Sequence, residues 1–96
     1  MGLTDDDLKR LQEELLADPT VGRLMQGTGG VRKMRFAFEN RGKSGSVRVI
    51  YVDFEIHEKL YLLTAYPKSE KDNLTKGERN ELKKLVEILG DELDKE

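Results

Sequence analysis

Ninety-six residues, of which 38% are charged and 36% hydrophobic, allow one domain over 1–96 with one core. The chain has no cysteine and one histidine, His57, which excludes disulfides, cysteine metal sites and any catalytic or metal scheme that needs two histidines. Its net charge is −2, its apolar runs fall far short of the ~20 residues of a membrane helix, and Met1-Gly2 leads into acidic residues, so the expectation is a soluble cytoplasmic protein without a cofactor.

Thr4 to Ala17 reads as an amphipathic helix. Thr4 is placed to cap it with Asp7 at the third helical position, and Asp5, Asp6 and Asp7 face the positive end of the helix dipole. Leu8, Leu11, Leu15 and Leu16 make the expected buried stripe. The acidic side chains of this helix, such as Glu13 and Glu14 near Lys9 and Arg10, read as a solvated face. Asp18-Pro19 looks like a fresh cap with proline at the first position of a second, short helix over Thr20–Met25. Gly27-Thr28-Gly29-Gly30 ends that segment. It is no phosphate loop, since it lacks the strand before, the helix after and the following Lys-Ser/Thr.

The period then changes to two. Residues 31–39 alternate, with Met34, Phe36 and Phe38 on one face and Lys33, Arg35 and Ala37 on the other. The apolar face belongs under a helix, which leaves Lys33 and Arg35 on an open one. Residues 40–45 form a polar, glycine-containing hairpin loop. Residues 46–54 are rich in valine, isoleucine and aromatics on both faces, as in a central strand. After a turn at 56–59, a third strand runs over 59–66 and stops at Pro67. Thr75 and Glu78 fit a capping box, and Leu82, Leu85, Val86, Leu89 and Leu93 follow at helical spacing, so a last helix runs from about Lys76 to near the C-terminus. The expected fold is α+β: an antiparallel sheet of about three strands, two helical segments before it and one after.

Charge is distributed unevenly along this plan. Between Val31 and Ile50 stand Arg32, Lys33, Arg35, Arg41, Lys43 and Arg48 against Glu39 alone, a local balance of +5, so the rest of the chain sums to −7. Paired as a hairpin, the strands would gather Lys33, Arg35, Arg41, Lys43 and Arg48, a set whose arginine forks match phosphate oxygens. A solvated basic face is the plain alternative. Like charges side by side on one sheet face repel, and a bound anion relieves that cost, which favours binding. Arg48 shares the face of Ile50, Val52 and Phe54. On a central strand it either pairs with a carboxylate, such as Asp53 or one from a helix, or points into a site. Tyr66 and Lys68 flank Pro67 where the third strand ends. Spacing alone favours Tyr66 as core edging, and His57 as a surface residue.

The ordered segments Gln26-Gly27-Thr28-Gly29-Gly30, Val31-Arg32-Lys33-Met34-Arg35, Gly42-Lys43-Ser44-Gly45-Ser46-Val47-Arg48-Val49-Ile50-Tyr51, Leu62-Leu63-Thr64-Ala65-Tyr66-Pro67-Lys68 and Lys71-Asp72-Asn73-Leu74-Thr75 resemble the RelE/ParE superfamily of type II toxins, most closely its HigB-like branch. The resemblance implies a compact fold of this class, a ribosome-dependent mRNA endonuclease that needs no metal, and an antitoxin partner, often of the helix-turn-helix type. Carried over by position, it implies that Lys33 and Arg35 hold mRNA and that Arg48 contacts the scissile phosphate. It places a basic residue at Lys68 and leaves Tyr66 as the substitute for a catalytic tyrosine that some relatives carry later, where this chain has Asn73-Leu74. Relatives usually start with a strand ahead of the first helix. This chain starts at the helix, so its sheet would keep an edge that another chain or a second copy would fill. Two alternatives stand beside the endonuclease: a non-catalytic module that binds antitoxin or RNA, and the gyrase poisoning of the ParE branch, which the Gly-Lys-Ser-Gly and Tyr-x-Lys segments disfavour.

Overall fold

A computed structural model describes residues 4–37, 46–67 and 74–95. The expected positions Phe38, Glu39, Arg41, Lys43 and Lys68 lie outside the described residues. Within them the order is α1 (Asp5–Ala17), β1 (Arg23–Leu24), β2 (Val31–Ala37), β3 (Ser46–Phe54), a 3-10 turn (Glu55–His57), β4 (Lys59–Pro67) and α2 (Lys76–Asp94). The four strands form one antiparallel sheet in the order β1-β2-β3-β4. This is the expected α+β plan, with β1 as an additional strand.

Both helices start where their side chains dictate. The Thr4 hydroxyl accepts from the Asp7 N–H at 3.1 Å while the Thr4 N–H donates to the Asp7 carboxylate at 3.1 Å. Thr75 and Glu78 repeat this box on α2, at 3.1 and 2.9 Å. Each box satisfies two of the N–H groups that a helix start leaves without intrahelical partners.

The sheet has one helix against each face. On the first, Leu11 and Leu15 of α1 pack on Met34, Phe36, Val47, Val49 and Tyr51. On the second, Val86 of α2 packs with Met25, Val31, Ile50, Val52, Tyr66 and Leu74. Residues 46–54 therefore meet a hydrophobic layer on both sides, which explains their apolar character on both faces. The expected stripe of α1 is narrower than its sequence suggests. Leu11 and Leu15 are buried, Leu8 is half-buried, and Leu16 is 76% exposed.

The expected second helix over Thr20–Met25 is absent. Asp18 caps a turn instead: its carboxylate accepts from the Thr20 N–H at 3.1 Å and the Thr20 hydroxyl at 2.7 Å, and its carbonyl accepts from the Val21 N–H at 3.1 Å. These bonds from Thr20 hold the Asp18 carboxyl below the usual carboxylate range, with Arg32 adding to the effect. Thr20, Val21 and Gly22 are poor helix formers, and the chain gains more by pairing Arg23 and Leu24 with Lys33 and Arg32 at the edge of β2. Thr28 closes the connection. Its hydroxyl donates to the Met25 carbonyl at 2.7 Å and accepts from the Val31 N–H at 3.1 Å, while Gly27, Gly29 and Gly30 take positive φ around it. No described helix is long and apolar enough to cross a membrane.

Candidate nucleic-acid interface

Strand register assembles the site. Across β2, β3 and β4 the pairs Arg35↔Arg48 and Arg48↔Tyr66 set three side chains in one row on the α2 face. The next row toward the core is Lys33↔Ile50↔Thr64, and the row beyond is Ala37↔Ser46. α2 packs over Val31, Ile50 and Val52. Lys33, Arg35 and Arg48 lie toward the other end of the same face, with Arg35 exposed and Arg48 and Lys33 half-buried. Among the described residues the face is thus divided: one end is core, and the other is basic.

Directly opposed residues of an antiparallel pair have Cβ atoms about 4.5–5.5 Å apart, so Arg35 and Arg48 carry like charges at close quarters. Arg35 is drawn aside, because its Nε donates to the Ser46 hydroxyl at 3.2 Å. No described carboxylate forms an ion pair with Arg48. Asp53, considered as a partner from sequence, lies on the opposite face, since β3 pairs with β2 without a break in register and Asp53 differs from Arg48 in parity. Arg48 itself is half-buried, beside Arg35 and Tyr66 on the α2 face. Preorganised cations at sheet spacing suit a ligand with repeated phosphates, whose oxygens accept from the guanidinium forks.

Tyr66 is different in kind. It is 6% exposed, packs in the core layer beside Arg48, and has a solvent-shielded hydroxyl. Arg41, Lys43 and Lys68 lie outside the described residues, so the geometry gathers Lys33, Arg35, Arg48 and Tyr66 of the candidate set.

Two supports were not anticipated from sequence. Ser46 orients Arg35, and the only hint was its parity with Arg48. Arg10, read as part of a solvated helix face, instead lies over the Phe36 ring at 4.3 Å and donates to the Ala37 carbonyl at 2.8 Å. It fixes the end of β2 from the opposite face, with Asp7 at 3.7 Å. His57, expected as a plain surface residue, places its Nε2 3.0 Å from the Asp94 carboxylate and so ties the turn before β4 to the end of α2.

Compared with known families, residues 2–96 match the family model described as the RelE toxin of the RelE / RelB toxin-antitoxin system. The match takes in the whole basic face and both helices.

Proposed function

The chain belongs to the RelE toxin family, the toxin half of a toxin-antitoxin pair, and on that premise we propose that it is a ribosome-dependent mRNA endonuclease of the HigB-like branch whose antitoxin is of the helix-turn-helix type. The observation that carries the proposal is the Arg35–Arg48–Tyr66 row with Lys33 beside it, a cationic strip on the part of the sheet that α2 leaves open. Lys33 and Arg35, with Arg41 and Lys43, bind the phosphates of single-stranded mRNA. Arg48 faces the phosphate that is cut.

The reaction is an internal transfer. The ribose 2′-oxygen forms a bond to the adjacent phosphorus, the bond from phosphorus to the 5′-oxygen breaks, and the products are a 2′,3′-cyclic phosphate and a 5′-hydroxyl. A proton leaves the 2′-hydroxyl and one reaches the 5′-oxygen. The phosphorane between these states carries extra negative charge, and a fixed guanidinium stabilises it more than the ground state. Lys68 and Tyr66 are assigned to proton transfer and positioning. The buried hydroxyl of Tyr66 favours a second reading, in which the chain binds RNA or antitoxin without cutting.

Induced expression with transcript-end mapping separates the two readings. Growth arrest with new 5′-hydroxyl ends inside translated messages is the expected result. RNA or antitoxin binding without arrest moves the chain to the non-catalytic reading.

A further inference from the structure

We propose that Arg10, on the face of the sheet opposite the basic row, is a positioning residue for RNA: it fixes the end of β2 and, through Ser46, holds Arg35 ready to meet phosphate. The inference deepens the RNA-binding reading of the row and rests on it for the ligand, whereas the ordering of Arg35 is a property of the free chain.

The grip of Arg10 on β2 has two parts. Its guanidinium carbon lies 4.3 Å from the centroid of the Phe36 ring, and its Nη2 donates to the Ala37 carbonyl at 2.8 Å. Phe36 is fully buried in the layer that holds Leu11 and Leu15, so the ring is a fixed platform for a planar guanidinium. The Ala37 carbonyl is one that β3 does not take up. The Val31 carbonyl accepts from the Met25 N–H at 2.9 Å, on the β1 side of β2. Carbonyls alternate in side along a strand, and β2 pairs with β3 without a register shift from Val31 to Ala37, so the Ala37 carbonyl turns the same way as that of Val31. Arg10 therefore holds β2 by a group that the β2–β3 ladder leaves out.

The guanidinium is itself oriented. One oxygen of the buried Asp7 carboxylate accepts from the Thr4 N–H at 3.1 Å, and the other stands 3.7 Å from Arg10 Nη2. Glu92 and Lys95, at 3.8 Å, have the same spacing in the chain, but both of their side chains are largely in water, the ordinary case that contributes little.

On the other face the same stretch carries the row. Ala37 is opposed to Ser46, and the Ser46 hydroxyl accepts from Arg35 Nε at 3.2 Å. Ser46 is thus placed by the pair whose other member Arg10 holds. Successive side chains alternate, so Phe36 turns toward Arg10 and Arg35 away from it, and a twist of the backbone over 35–37 moves both at once. Arg35 is also opposed to Arg48, whose like charge works to displace it. An arginine held in place beforehand loses less side-chain freedom when phosphate arrives.

Nitrogen-15 relaxation at Arg35 Nε in the free chain, RNA affinity over a range of salt, and thermal unfolding test this on one set of variants. Arg10→Met keeps a side chain over Phe36 and removes the donor to Ala37. It is expected to mobilise Arg35 Nε as much as Ser46→Ala does, and to weaken single-stranded RNA roughly fivefold. The slope of log affinity against log salt is expected to fall by about 0.7, one phosphate's share. In an Arg35→Ala background the same substitution is expected to change affinity less than about twofold. Lys9→Met removes an exposed positive charge from the same helix and is expected to stay within about twofold of the parent. Three results would overturn the proposal: an Arg35 Nε as ordered in Arg10→Met as in the parent, losses that add for Arg10→Met and Arg35→Ala, or an equal loss in Lys9→Met. Should Arg10→Met fail to fold, Arg10→Lys, which keeps the charge and a donor but not the planar stack, carries the same readings with smaller shifts expected. A parent that binds no RNA overturns the reading of the row and with it the ligand named here, while the relaxation of Arg35 still decides whether Arg10 orders it.

Discussion

Arg48 and Tyr51 are three residues apart on β3 and face opposite ways, and they show what a side chain on a central strand can do. Arg48 lies half-buried on the α2 face, between Arg35 and Tyr66. Tyr51, fully buried, donates its hydroxyl to the Pro19 carbonyl at 2.7 Å and accepts from the Gly22 N–H at 2.9 Å, so it holds the segment that precedes β1. Tyr51→Phe leaves two backbone groups unsatisfied and should destabilise the fold by about 1–3 kcal/mol, read as a lower denaturant midpoint with an unchanged slope. Burial pushes the Tyr51 phenol above its ordinary value of 10.0, although the Gly22 N–H and Arg32 work against that shift. A raised value in the fold means that the contribution is complete below the unfolded pKa and is lost as pH rises through the folded one. The stability gap between parent and Tyr51→Phe should therefore be constant at neutral pH and narrow above about pH 10. A gap that stays constant into that range would show that the hydroxyl bonds are not what the phenol contributes. Parity made the face of Arg48 legible in the sequence. The partners of Tyr51 were not legible, because they lie 29 and 32 residues away and are set by tertiary packing.

Helix starts and strand alternation are local, and they were readable: both capping boxes, the span of β3 and the start of β2 follow from spacing alone. Thr75→Ala should cost about 1 kcal/mol by removing the cap hydroxyl of α2. An unchanged thermal midpoint would show that α2 is held by packing alone. The segment before β1 was misread because Asp-Pro signals a helix start and a turn equally well. What decides between them is nonlocal, namely the vacant edge of β2 and the hydroxyl of Tyr51. Gly22 records that decision. A Cβ there would sit 2.7 Å from the Tyr51 hydroxyl and 3.1 Å from the Lys33 carbonyl. Tyr51 is fully buried and has little room to yield, so Gly22→Ala should destabilise by about 1–3 kcal/mol. Exchange should then quicken at the β1–β2 pairing before it does in β3. A Gly22→Ala protein as stable as the parent would mean that this segment is not clamped as described.

Across the whole molecule, charge is segregated. The stretch from Val31 to Ile50 carries +5 and the remainder −7. Binding of single-stranded RNA should weaken steeply with salt, each neutralised phosphate contributing about −0.7 to the slope of log affinity against log salt. Arg35→Ala should reduce that slope by about one phosphate's share, and a nearly flat dependence in the parent would remove the strip from the interface. The central claim is that Arg48 acts on the phosphate that is cut. The most direct test is ribosome-programmed cleavage of a defined mRNA by the parent and by Arg48→Ala, with thermal unfolding followed on the same samples. The account predicts a variant that melts like the parent and cuts at least about a hundredfold more slowly, the loss expected for one donor to a developing oxyanion. A folded Arg48→Ala protein that cuts at the parent rate would contradict it.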